Sequence, residues 1–447
     1  MEALARFEVL GVDQRGDMTA GLTLPFVTAA DPDRAGEGSL DPLGLARIAE
    51  RLADELAPEV TARMSRVRFV TAIAVASHVL LEPADLVGAD GTPAYLAFEW
   101  HVVEAFVRSR PETGTDAVPG IQKARARLHE WSRHLHKDSY LETPKVFGFH
   151  GVYKRLAKDL EIVDDNLVSL AHGDALVELW ERDQGLDGFS TKRAGSAGGK
   201  FAAVLAGEVR RALDKGSVQL GPNSKWWRAI SSTLAPGAAG EKERRRLWRW
   251  LTETRHPVRR ELATLIAGNR EWQVSERETI ERLLALDLSA ELRTRLNAIV
   301  AYEAAVRSLD DGFRLLRSIA SQRTPSAVSP DEVADHPKFR PAADALPDAL
   351  TVAAERLEEV GLAVDLETTL GQLAERMSRA QLVEAILDRH DAVQSAKGKR
   401  SWFERDERGF AVRGIGRLDE QFVERVEYLH PYRIYALRSF AQDLRPR

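Results

Sequence analysis

The chain has 447 residues, with 63 Lys and Arg against 68 Asp and Glu, a formal charge of -5. A protein with that balance does not coat nucleic acid by bulk charge, so any polyanion site must be a local patch. It contains no cysteine, which excludes disulfides, thiolate zinc sites, iron–sulfur clusters and a cysteine nucleophile, and fits a reducing cytoplasm.

Hydrophobic residues at 44% and charged residues at 29% fit a soluble globular protein of roughly three domains. The N-terminal MEALARFEVLGVDQRGD lacks the basic start and apolar stretch of a secretory signal. The longest apolar run, Phe69 to Leu81, is too short for a membrane span of about 20 residues and reads as a buried helix. No membrane partner is expected.

Residues 11–38, rich in Gly, Asp and Pro, read as an extended arm. Asp41 then offers a cap and Pro42 a first helical position, and Leu45, Ile48, Leu52 and Leu56 recur at helical spacing until Pro58. Further helices are expected over Arg63–Leu81 and Tyr95–Ser109. From Thr143 the order changes: a short helix ending at Gly148, an amphipathic helix with Phe149, Val152, Tyr153, Leu156 and Leu160 inward, and two short strands around Asp164-Asp165-Asn166. A helix over Gly173–Glu181 closes the segment. Helix, helix, hairpin is the order of a winged-helix module.

Five glycines between 185 and 199 mark a linker or exposed loop. Beyond it the sequence is helical to about Asp391, with helices expected over Phe201–Leu213, Glu241–Thr254, Arg277–Leu286, Ser289–Ala320, Ala349–Val360 and Thr369–Arg389. Gly361 sits where a left-handed helix cap belongs. Trp402–Arg405 and Gly409–Arg413 form a hairpin around Asp406-Glu407-Arg408, followed by a closing helix from Ile434 to Leu444. The expected fold is mainly α: a multi-helical protein with an embedded winged-helix-like module and a small C-terminal β-hairpin. Its parts are a helical domain with the arm (1–140), the module (141–190), a second helical domain (191–395) and the hairpin with its helix (396–447).

Charge is segregated. Lys123–Asp159 carries a net +5, Lys242–Arg260 a net +6 and Asp331–Asp391 a net -8. In a winged helix the second helix enters the major groove, and here it would present His150, Lys154, Arg155 and Lys158 with Lys145 nearby. Lysines and arginines of that set would meet phosphates, and an Arg or His a base edge. The same residue pattern equally suits a module that binds protein. A second basic region, Lys242, Arg244, Arg245 and Arg246, interleaves with Trp248 and Trp250, and Lys225-Trp226-Trp227-Arg228 lies nearby. Stacking of bases is conceivable there, but Leu247, Trp250 and Leu251 at i, i+3 and i+4 also describe a core face beneath a solvated arginine face.

Other motifs carry less. Ala194–Phe201 lacks the first Gly and the Ser/Thr of a phosphate-binding loop, so no nucleotide-hydrolysing site is expected there. His134 and His136, two apart on a helix, point to different sides and would not share a metal, so His129, His134 and His136 read as a surface or interface cluster. Asp31, Asp33 and Asp41 could assemble a magnesium site but sit where turns and caps want Asp. Glu404, Asp406 and Glu407 mark a solvated hairpin tip. No cofactor and no catalytic residue emerges.

The segments SLDPLGLARIAERLADELAPEVTARMSRVRFVTAIAVASHVL, GFHGVYKRLAKDLEIVDD and WFERDERGFAVRG…YLHPYRIYALRSFAQDL together resemble uncharacterised helical accessory proteins of bacterial anti-phage defence islands, encoded beside helicases and nucleases. The resemblance covers about a third of the chain and brings no established site residue. It implies an accessory DNA-binding or scaffold subunit of a multi-protein defence or DNA-processing system, with double-stranded DNA and a helicase or nuclease as partners. Two alternatives remain open: a metal-dependent nuclease subunit whose carboxylates converge in three dimensions, and a regulatory adaptor whose winged helix binds protein.

Overall fold

Asp41 does cap the first helix, but from a turn ahead of it. Its carboxylate accepts the amides of Leu45 (2.7 Å) and Ala46 (3.1 Å), and α1 runs Ala46–Leu56 rather than from Pro42. Gly44, at φ +70°, supplies the left-handed step between them. The computed structural model describes residues 41–80, 87–109, 115–128, 133–253, 255–269, 272–323, 326–413 and 427–444. The expected arm, Asp31, Asp33 and His129 lie outside these.

The helix α2 (Phe69–Val79) buries every residue except His78, because it runs through the centre of the N-terminal half. It begins six residues later than expected. The helix α3 (Ala94–Ser109) follows, with Phe98, Trp100 and Phe106 buried, then α4 (Ile121–Arg127), α5 (Pro144–Phe147), α6 (Phe149–Asp159) and α7 (Ala171–Asp183). Both α6 and α7 pack on α2, so the 141–190 segment shares its core with the helices before it. The two strands expected between α6 and α7 are reduced to one bridge, Val163 with Ser169. Asp164 explains the reduction: its Oδ1 accepts the amides of Asn166 and Val168, both at 2.8 Å, and folds the segment into a tight turn.

The glycine-rich stretch is not all linker. Gly198 and Gly199 form the first turn of α8 (Ala197–Lys215), whose Ser196 cap accepts the Gly199 amide at 2.9 Å. A Cβ on Gly198 would stand 1.9 Å from the Leu186 carbonyl, and one on Gly199 2.0 Å from that of Arg193. The glycines let the preceding loop lie directly on the helix. Next come α9 (Lys225–Leu234), α10 (Glu241–Thr252), α11 (Pro257–Gly268) and α12 (Glu276–Leu284), of which α9 lies against α3 and α10 against α7 and α11.

The long helix α13 (Ala290–Arg323) spans about 50 Å at 1.5 Å per residue and carries the C-terminal half on its flanks. Around it stand α14 (Pro330–Ala334), α15 (Phe339–Glu358), α16 (Ala363–Ala374) and α17 (Arg379–Ala396). The single helix expected over 369–389 is two, because Ser378 and Gln381 form a reciprocal capping box that starts α17 afresh. The hairpin is as the sequence implies: β1 (Phe403–Asp406) pairs antiparallel with β2 (Gly409–Val412), Phe403 opposite Val412. The closing helix is α18 (Ile434–Asp443). The described residues thus form a mainly helical protein with one small hairpin, and none of their helices is long and apolar enough to cross a membrane.

Three buried carboxylates fasten distant segments onto these helices. Glu99 on α3 accepts the Tyr140 hydroxyl (2.8 Å) and the His150 amide (3.0 Å). Glu104, one turn on, accepts the Leu135 amide (2.9 Å) and sits 2.7 Å from His134 Nδ1. On α13, Glu303 holds the Leu429 amide (2.6 Å), His430 Nδ1 (2.8 Å) and the Tyr432 hydroxyl (2.7 Å). A buried carboxylate is tolerated where several donors converge on it. Two of the segments that carry the resemblance, around His150 and around HPY at 430–432, are therefore anchoring segments in this structure.

Candidate nucleic-acid interface

The helix α6 was expected to offer His150, Lys154, Arg155 and Lys158 outward. Its inner side is as expected: Phe149 stacks on Phe69 at 5.3 Å, and the Tyr153 hydroxyl accepts the amides of Ser65 and Arg66, both at 2.8 Å. His150, however, does not face outward. It is only 2% exposed, its ring lies against Phe149 and Tyr95, and its Nδ1 is 3.1 Å from Glu99. The first turn of α6 is covered by α3, so this imidazole reaches no groove.

Of the remaining bases of α6, Arg155 and Lys158 are exposed and Lys154 is half-buried, and all three are engaged within the chain. Lys154 donates to the Asp165 carbonyl at 2.6 Å, and Lys158 pairs with the Asp165 carboxylate, which that ammonium holds below the usual aspartate range. Arg155 donates to Glu59 at 2.9 Å with Asp54 at 3.6 Å. Such exposed pairs are individually weak, yet each phosphate contact would have to displace one. Lys145 is exposed beside a cleft at the start of α3.

The second basic region is arranged differently. Glu243, Leu247 and Leu251 form the inner stripe of α10, and Glu243 is fully buried. Its carboxylate accepts Arg68 Nε (3.0 Å), Arg68 Nη2 (3.2 Å) and the Thr71 hydroxyl (2.8 Å), which fixes the helix roll. Lys242, Arg245 and Arg249 consequently face solvent, while Arg244 and Arg246 are half-buried. Arg245 pairs with Glu241 and Arg249 lies 3.8 Å from Glu253. The tryptophans are neither fully buried nor free. Trp250 stacks on His172 at 4.3 Å with 19° between the planes, and the Arg246 guanidinium stands 5.5 Å from its ring centre. Trp248 and Trp226 are half-buried, and Trp227 is buried with its indole N–H on the Gly221 carbonyl at 2.8 Å. These rings are engaged by their own chain, so stacking of bases on Trp227 and Trp250, conceivable from the sequence, has little room.

The two basic regions meet at the C-terminal end of α6. Asp159 there is 2% exposed at its side chain and takes Arg259 Nη2 (2.8 Å), His256 Nε2 (2.9 Å) and Arg255 (3.3 Å). Burial alone would raise its carboxyl, but Arg259 and His256 outweigh burial and hold it below the usual aspartate value. Next to it, His172 Nδ1 donates to the Leu160 carbonyl at 2.8 Å and presents its ring to Trp250. Arg246, through Trp250 and His172, and Arg255, through Asp159, are thus tied to one junction of α6, α7, α10 and α11. Sequence reasoning missed His172, Arg255 and Asp159, since their partners lie about 80 to 100 residues away and no local pattern signals them.

Among the described residues no group of three or more His, Asp and Glu stands where a metal ion could be held. Of the histidine cluster, His134 is bound to Glu104 and His136 opens a short helical turn. Compared with known protein families, with curated proteins and with solved structures, the chain matches none.

Proposed function

We propose that this chain is a non-enzymatic nucleic-acid-binding or scaffold subunit, acting with a helicase or nuclease in a bacterial anti-phage defence or DNA-processing assembly. The observation that carries the nucleic-acid reading is the outer face of α10. There Lys242, Arg245 and Arg249, with the half-buried Arg246 beside them, are presented by a helix whose roll is locked by the buried Arg68–Glu243 pair. A helix of bases held rigidly on a folded body suits contact with a phosphate backbone, which needs charge in register and not base readout. Of the sequence-derived contacts, Lys242 and Arg245 lead, Arg245 giving up only an exposed i,i+4 pair with Glu241, and Lys154, Arg155 and Lys158 are secondary because the Asp165 carbonyl, Glu59 and the Asp165 carboxylate hold them. The defence context rests on the resemblance alone.

The adaptor reading keeps one observation of its own. Val146 and Phe147 on α5 are each 45% exposed, and Val168 beside the turn after α6 is 43% exposed. Apolar side chains left open on a small module suit a protein partner.

The test is a fluorescence-anisotropy titration of labelled duplex and single strand across a salt series. Backbone binding by three or four bases gives a log–log salt slope of about -3 with the duplex, at about 0.9 per contact. No binding of either strand form at low salt would remove the nucleic-acid reading and leave the adaptor.

A further inference from the structure

Residues 188–228 carry eight bases against two acids, a third basic region beside those of α6 and α10. The loop that opens it starts where α10 starts. At the end of α7, Asp183 accepts the Glu243 amide (3.2 Å) and Gln184 donates to the Ala238 carbonyl (2.8 Å), so the chain leaves α7 beside the first turn of α10.

This loop is held rigidly. Buried Phe189 meets Trp180 edge-on at 4.8 Å, and Gly198 and Gly199 let the carbonyls of Leu186 and Arg193 lie on α8. Lys192 within it has φ +51°, left-handed backbone that a lysine rarely adopts. Such a conformation persists only where the surroundings impose it, and it clusters at binding sites. Here it sets the exposed Lys192 near Arg210 of α8. Partial desolvation, and then that guanidinium, hold the ammonium below the usual lysine range. Neighbouring cations repel, and an anion placed beside them relieves both.

Along α8, Lys200, Ala203, Gly207 and Arg210 fall on one face by their spacing. The two bases are exposed, about 15 Å apart at 1.5 Å per residue, and a Cβ on Gly207 would meet nothing within 4 Å. The helix surface between them is therefore low and open. Among the described residues no acid pairs with Lys192, Arg193, Lys200 or Arg210, whereas Arg155 has Glu59 and Arg245 has Glu241. Glu208 is taken by Arg211, which leaves Asp187 and Asp214 as the local acids against those four bases.

We propose that this loop and the outer face of α8 form a second phosphate-contact surface, which takes the backbone of the same duplex that α10 engages. The proposal rests on the nucleic-acid reading of α10 and extends its footprint around the end of α7. A phosphate that meets Lys192, Arg193, Lys200 or Arg210 displaces no ion pair, unlike one that meets α6.

The experiment is anisotropy of labelled duplex across a salt series, with thermal melting of each protein. Lys192, Arg193 and Arg210 changed together to Glu lower the affinity by about tenfold and take about 2 to 3 from the salt slope. The melt stays close to the parent's, because no acid of the chain loses a partner. Lys192→Gly removes one charge and relaxes the left-handed backbone, so affinity falls by about threefold and the slope by about 0.9, while melting holds or rises. A triple variant that binds as the parent does at every salt concentration overturns this proposal and leaves the α10 reading standing. Full affinity in Lys192→Gly overturns it equally, and decides the matter should the triple variant misfold. A parent that ignores duplex even at low salt removes the α10 reading, and this proposal with it.

Discussion

Trp250 lies flat on His172, and the same indole carries the Arg246 guanidinium at its ring. The stack joins the first turn of α7 to the last turns of α10, two segments that the sequence separates by about 80 residues. A planar guanidinium set against an aromatic ring loses little further freedom when it meets an anion.

Trp250→Ala therefore releases Arg246, and also removes a half-buried ring that packs against the core. We expect nucleic-acid affinity to fall by about three- to tenfold. The fall should be equal for duplex and single strand, because the ring positions a base-independent contact. A loss confined to single strands, measured by anisotropy, would instead mean that bases stack on the indole.

The Arg68–Glu243 pair sets the roll of α10 and is buried at both ends, with Arg68 also reaching the Thr233 carbonyl at 2.9 Å. Glu243→Ala leaves a guanidinium buried without its counter-charge and should cost about 3–5 kcal/mol. Chemical denaturation of this variant beside Glu241→Ala, an exposed pair on the same helix, measures the contrast. The exposed change should cost under about 1 kcal/mol.

Acid should weaken the junction between the two ends of the described chain. His390 accepts the Trp402 amide at Nε2 (3.1 Å), so its proton sits on Nδ1 and is donated to the Pro42 carbonyl (3.0 Å). Burial holds its pKa below the ordinary 6.5. For a histidine lowered on folding, the contribution to stability is complete above the unfolded value and is lost as pH falls from 6.5 toward the folded value. His101, buried and lowered for the same reason, adds loss of the same sign. Denaturation midpoints should thus drop between about pH 7 and pH 5, and His390→Asn should flatten part of that slope. Asp159 has the opposite placement: its lowered carboxyl contributes fully above 3.8 and is lost only as pH falls through its folded value.

Burial of α2 can be checked directly. Ile73 is 1% exposed, and Ile73→Asp would place an unpaired charge in the core. The variant should be insoluble or lack a cooperative melt. Stability equal to the parent's would contradict the placement.

What the sequence reveals and what it hides follow from the range of the interactions. The stripe Leu45, Ile48, Leu52 and Leu56 is buried as its spacing implies, and Gly361 takes the left-handed cap with φ +71°. The hairpin is legible from the alternation around Glu407-Arg408. The break at Ser378 is also local, but the surrounding leucine period masks the capping box. His150 misleads because its neighbours on α6 are basic, while the carboxylate that buries it comes from Glu99, fifty-one residues earlier. The acids that hold Arg155 lie about 100 residues away. A charge count finds basic helices but cannot find the acids that fold against them.

On the proposed function, α10 and not α6 makes the main phosphate contacts. Duplex binding across a salt series should be compared for the parent, for Lys242, Arg245 and Arg249 changed to Glu, and for Lys154, Arg155 and Lys158 changed to Glu. The α10 triple should lose most of the affinity, about 2 to 3 from the salt slope, and a little stability as Arg245 and Arg249 leave Glu241 and Glu253, the melt staying cooperative since Leu247 and Leu251 are untouched. The α6 triple should lose less affinity and also some stability, as its bases leave Glu59 and Asp165. An α10 triple that binds duplex as tightly as the parent at every salt concentration would contradict the account.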